Sequence, residues 1–136
     1  MNFKSYMLAD QREPSSKPID TSPFLGDWYN THPNSSYLVR VRIEADDDCL
    51  VLESYGSDHN EPIPWGRAVA TPFAAGKGNV AAGFHCRYVF DEAEHLLVAN
   101  QKLGILVIQS YTLYLDGSKR TNHFAREFFR RQTAEA

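Results

Sequence analysis

The 136-residue chain has no apolar run near the ~18 residues that cross a bilayer. Its longest, LGILVI at 103–108, has the length of a strand. Residues 1–18, MNFKSYMLADQREPSSKP, hold no sustained apolar segment of the kind an export signal needs, so a cytoplasmic setting and no membrane partner are expected. Cysteine is scarce: Cys49 and Cys86 are the only two, too few for a disulfide framework, and both read as reduced, small apolar residues. Positive charge is not in excess either. With 14 Lys and Arg against 17 Asp and Glu, the net charge is −3, which argues against nucleic acid as a partner.

The motifs of common cofactor and nucleophile chemistry are missing too. There is no Cys-x-x-Cys and no G-x-S-x-G. The run AAGKGNVAAG at 74–83 has neither Walker spacing nor a dinucleotide fingerprint, and it reads as a flexible loop at a barrel mouth, a possible lid. His32, His59, His85, His95 and His123 include no pair at zinc-ligand spacing on one element. No cofactor and no metal are expected, with a metal site assembled from distant strands as the alternative.

What the sequence does have is alternation. The apolar share is 43% and the charged share 23%, as in one globular domain. Residues 1–22, with Pro14, Ser15, Ser16 and Pro18, read as a flexible or loosely docked tail, and residues 23–136 as a single domain. In that domain Tyr37, Val39, Val41 and Ile43 alternate with Leu38, Arg40, Arg42 and Glu44. Ala82, Phe84, Cys86, Tyr88 and Phe90 repeat the period of two, the mark of half-buried antiparallel strands. The segment around Pro64 and Pro72 reads as an edge or bulged strand. Asp116-Gly117 reads as a hairpin turn. About eight short strands joined by turns predict an all-β antiparallel up-and-down barrel, because closure removes both sheet edges. A flattened sandwich is the competing solution, and FAREFFRR at 124–131 also allows a terminal helix, with Phe124 and Phe128 four residues apart.

The run LGDWYN at 25–30 carries a G-x-W on the first strand of such a meander. It resembles the calycin group of lipocalins, fatty-acid-binding proteins and avidins, closest in Gly26-Asp27-Trp28-Tyr29-Asn30 to streptavidin-like proteins. The resemblance implies that Trp28 plugs one barrel end, with Gly26 beside it and a late arginine, Arg126 or Arg130, stacked on the indole. It also sets Asn30, Ser35 or Ser36, and Tyr55 against ligand-contacting positions, and it implies a homodimer or homotetramer. Beyond Trp28 the only tryptophan is Trp65, expected at a mouth or a subunit contact. The cavity tryptophans of avidins are thus unmatched, and the resemblance implies a fold rather than a biotin site.

In a barrel strand every second residue points inward. With Trp28 inward, Asn30 shares its side. On the strand from Ile105, either Gln109 and Tyr111 face in with Ile105 and Val107, or Ser110 and Thr112 do. Tyr37, Tyr88 and Asn100 sit on the more apolar faces of their strands. The expected ligand-contacting set is Asn30, Tyr37, Tyr55, Tyr88, Asn100, Gln109 and Tyr111, holding a small hydrophobic or amphipathic molecule. The same groups can instead satisfy one another in a filled core, leaving an oligomerisation module. A third reading is a cyclase- or isomerase-type enzyme on this scaffold, with His123 and Glu127, which share a strand face, as an acid–base pair.

Overall fold

A computed structural model describes residues 15–59 and 61–132. Eight antiparallel strands follow in order: β1 (Gly26–Asn30), β2 (Leu38–Asp46), β3 (Cys49–Asp58), β4 (Glu61–Ala74), β5 (Ala81–Val89), β6 (Ala93–Lys102), β7 (Ile105–Tyr114) and β8 (His123–Arg131). Each pairs with the next and β8 returns to β1, closing an up-and-down barrel. Where one face of a strand is charged, the alternation in the sequence carries over to the wall, except at the start of β2. There Leu38 opposes Gly56 and Arg40 opposes Tyr55, so Val39 is an extra residue and Leu38, expected on the charged face, is buried. On β2, Val41 and Ile43 are buried and Arg42 and Glu44 exposed. On β5, Phe84, Cys86 and Tyr88 are buried and His85, Arg87 and Val89 exposed. FAREFFRR lies in β8, not in a helix. The proline-containing β4 is bulged, and it pairs with β3 over residues 61–70 but with β5 only over residues 70–74, so its first half has a strand partner on one side only.

The barrel is filled at one end. Val41, Ile43, Leu50, Leu52, Phe84, Leu97, Leu106, Ile108 and Phe129 point inward there and are essentially solvent-free, each contributing about 1.5–3 kcal/mol through burial. Trp28 lies beneath them, fully buried, its Nε1–H donating to Phe24 O at 2.9 Å. Arg131 covers the indole, its guanidinium carbon 4.3 Å from the ring centroid. Its Nε donates to Leu25 O (2.9 Å) and its Nη2 to Pro23 O (2.7 Å). A cation on an aromatic face with its donors satisfied is a stable seal. Gly26 makes room for it, since a Cβ there would sit 3.1 Å from Arg131 Nε.

Arg126 and Arg130, the arginines expected on the indole, are both on the outer wall. Strand parity is the reason: with Phe129 buried, Arg131 is the next residue that turns inward. The loop between β4 and β5, expected at a mouth, lies at this sealed end. There it is tied to the segment before β1 by Asp20 N–H to Asn79 O (2.7 Å) and Ala81 N–H to Asp20 O (2.8 Å). Residues 1–14 of the expected tail lie outside the described residues. Ile19 packs on the core and Asp20 bridges Val80, so the tail's last residues are docked.

Candidate functional site: the polar half of the barrel

Away from Trp28 the interior changes character. The upper ends of the strands bring Asn30, Tyr37, Ser54, Tyr88, His95, Ser110, Thr112 and Glu127 to the inner wall. The Asn30 amide donates to Leu38 O (2.7 Å) and to Glu127 Oε2 (2.8 Å). The Ser35 hydroxyl, in the β1–β2 loop, donates to the same carboxylate oxygen. One carboxylate thereby ties together the end of β1, the following loop and β8. The Tyr37 and Thr112 hydroxyls each lie 2.9 Å from His95 Nδ1 and 3.5 Å from one another. Tyr88 OH donates to Gly66 O at 3.0 Å and lies 3.1 Å from the Ser54 hydroxyl.

Burial sets the protonation of this belt, because it penalises whichever form is charged. It raises the Tyr37 hydroxyl above its ordinary range and pushes Tyr88 up to about 12. It lowers His95, with Glu92 opposing in part. At neutral pH both phenols keep their protons and the imidazole is uncharged. Among the described residues, the buried Glu127 Oε1 has no hydrogen-bond partner, and the buried Ser110 Oγ has at best a weak one in the neighbouring Tyr37 hydroxyl.

A bulge shapes one wall. Ser54 pairs with Gly66 and Tyr55 with Pro64, so Trp65 is the extra residue and has no opposite number on β3. A bulge re-aims side chains, and this one turns the indole onto Tyr37, Tyr88, Phe90 and His95, with centroids 5.3, 5.4, 5.7 and 4.7 Å away. Gly56 is what lets it sit there, because a Cβ at that position would lie 2.6 Å from Trp65 Nε1. On the other side, between the β1–β2 loop and the upper part of β8, lies a cavity of about 560 Å³. Its walls include Asn30, Ser35, Tyr37, His123, Ala125 and Glu127.

Of the residues expected to contact a ligand, Asn30, Tyr37 and Tyr88 face the interior. Tyr55, Asn100, Gln109 and Tyr111 do not. Tyr55 lies outside, its ring 5.1 Å from the Arg40 guanidinium, and Asn100 is exposed on the outer face of β6. Gln109 and Tyr111 share the outer face of β7, where the tyrosine stands 5.3 Å from Phe124. Ser110 and Thr112 take their place inside. Glu127 and His123 do share the inward side of β8, but Glu127 is held by Asn30 and Ser35 while His123 is exposed at the rim. Sequence reasoning did not single out His95 or Ser54. The signal for His95 was the small-residue row Ala93, Leu97 and Ala99 on its own side of β6, masked by Leu96 and Val98 on the other. Among the described residues, no three His, Cys, Asp or Glu side chains are grouped to hold a metal. The free thiol of Cys86, inside the apolar half, is raised by burial to about 11, which leaves it protonated and unreactive.

No family model, curated protein or solved structure matches the chain.

Proposed function

We propose that the barrel binds a small amphipathic molecule in its polar half. The observation that carries this reading is Glu127 Oε1, which is buried without a hydrogen-bond partner among the described residues, on a carboxylate that lines the cavity. Each such atom costs about 1–3 kcal/mol when left unpaired, and native folds keep few of them without a use. A ligand that offers donors to this carboxylate and lays an apolar part against Tyr37 and Ala125 repays that cost. The cavity volume, about 560 Å³, is of the size small-molecule sites have. The closed barrel, with Trp28 under Arg131, supports reading the chain as a calycin-type binder.

Native mass spectrometry of the full chain purified from its own host tests this. The expected result is a bound small molecule that dissociates on activation and is lost or weakened about tenfold in Glu127→Gln. If the chain emerges bare and no fraction of a host metabolite extract raises its Tm, the reading fails.

One observation favours an enzyme instead: the triangle of Tyr37, His95 and Thr112, an uncharged imidazole against two hydroxyls, is equipped to move a proton. Chemical change of the retained molecule, abolished in His95→Gln, would support that reading. Self-association is proposed as well. Val98, Tyr111, Leu113, Phe124 and Phe128 are 38% to 53% exposed on the outer faces of β6, β7 and β8, and such a patch favours packing against a second copy.

A further inference from the structure

The barrel has a seam that its shortest strand leaves incomplete. β1 has 5 residues and β8 has 9. Their ladder ends at Asn30 opposite Phe129, followed by one bond from Thr31 N–H to Phe128 O at 2.8 Å. From His123 to Glu127, β8 pairs with β7 alone. Main-chain groups in a strand alternate sides. The bond to Phe128 therefore fixes which residues look across the seam: Phe128, then Arg126, then Phe124. Among the described residues nothing hydrogen-bonds the N–H or C=O of Phe124 or Arg126 from that side.

What lies across the gap is the β1–β2 loop, which presents Thr31, His32, Asn34, Ser35 and Ser36 to the cavity of about 560 Å³ in between. The loop reaches β8 through Thr31 and through the Ser35 hydroxyl on Glu127. A free strand edge bordered by polar side chains matches the chemistry of an extended polypeptide, which carries the complementary donors and acceptors at the same spacing.

We propose that this seam accepts an extended peptide, which adds to β8 as a short strand by pairing with Phe124 and Arg126. Charge sets its side chains. The inward positions on β8 are His123, Ala125 and Glu127; the small Ala125 leaves space beside the Glu127 carboxylate, so the peptide residue turned inward is basic. An ammonium group there takes the place of the Ser35 hydroxyl and offers donors to both carboxylate oxygens. The outward neighbours, Arg126 and Phe128, suit acidic or aromatic peptide residues. This goes beyond small-molecule binding, because it uses main-chain groups that the polar belt does not use.

The test uses the full chain and three capped probes. These are Ac-Thr-Lys-Thr-Lys-Thr-NH2, its Glu-for-Lys counterpart, and a matched pair of N-methylated Lys peptides counted together as the third, one methylated at each alternate set of amides. Binding is measured by calorimetry and amide exchange by NMR. The Lys peptide is expected to bind saturably and to slow exchange at Phe124 and Arg126 by about tenfold. The Glu peptide is expected to bind about tenfold more weakly, and one methylated set to lose binding while the other keeps it. Three results overturn the proposal: no binding of the Lys peptide at concentrations on the order of millimolar, equal binding of the two methylated peptides, or protection that falls elsewhere. Concentration-dependent protection of the same two amides without any peptide also overturns it, since a second copy of the chain is then the occupant. A small molecule retained in the barrel alongside any of these results leaves the proposed function standing.

Discussion

Trp28 is the largest fully buried side chain of the barrel among the described residues. Its indole is fully buried, hydrogen-bonded to Phe24 O and stacked under Arg131. Trp28→Ala is expected to lower unfolding stability by about 3–5 kcal/mol in a urea titration, and a loss below about 1 kcal/mol would mean the floor is not built as described. His95 ties stability to pH. The unfolded chain takes up this proton near the ordinary value of 6.5, the folded chain only below it. Between the two the unfolded state binds more protons, so the contribution is intact above about pH 6.5 and is lost as pH falls through that window. The urea midpoint should therefore drop from pH 7.5 to 5.5 more steeply in the native chain than in His95→Gln, and parallel slopes would exclude the imidazole as the cause. At this scale the sequence was legible where parity could be applied. Once Glu127 is set inward, residues 129 and 131 follow and Arg126 and Arg130 must face out. The resemblance points to Arg126 or Arg130, but that alternation puts Arg131 on the indole.

Strands whose outer face is charged were readable, and strands whose outer face is apolar were not. β2 carries Arg42 and Glu44 outside, and its inner pair Val41 and Ile43 is plain in the chain, while the bulge at Val39 that turns Leu38 inward is not. β7 reads ILVIQSYTLY, apolar on both sides. Only its place in the closed wall decides that Leu106, Ile108, Ser110 and Thr112 look in, so two ligand-contacting candidates fell on the wrong face. The Trp65 bulge left a trace in the flanking prolines, but its direction depends on the neighbouring strand. For β8 the short partner has an observable result even in the unliganded chain. The amides of Ala125 and Glu127, directed at β7, are expected to exchange slowly, and those of Phe124 and Arg126 quickly. Uniform protection along the strand would show that the upper seam is closed.

For the whole molecule, strand count and turn spacing were enough to predict closure, since eight strands in consecutive hairpins otherwise leave two edges bare. The division of the interior was not legible. Burial depth depends on where each strand lies along the axis, and the sequence does not record that shift. It is this shift that gathers an apolar filling around Trp28 and a polar belt around Glu127. The outer apolar face is separable from both. Replacing Tyr111 and Leu113 together by lysine is expected to abolish self-association in sedimentation velocity while changing unfolding stability by only about 0.5 kcal/mol per site. A native chain that sediments as a monomer at every concentration would remove the interface.

The two tryptophans stand in different halves of this tube, Trp28 sealed beneath Arg131 and Trp65 half-buried among Tyr37, Tyr88, Phe90 and His95. The chain thus carries a built-in optical pair. Burial closes Trp28 to water-borne quenchers, so a spectral change on filling the polar half is expected from Trp65. Occupancy can be followed by light in the unlabelled protein.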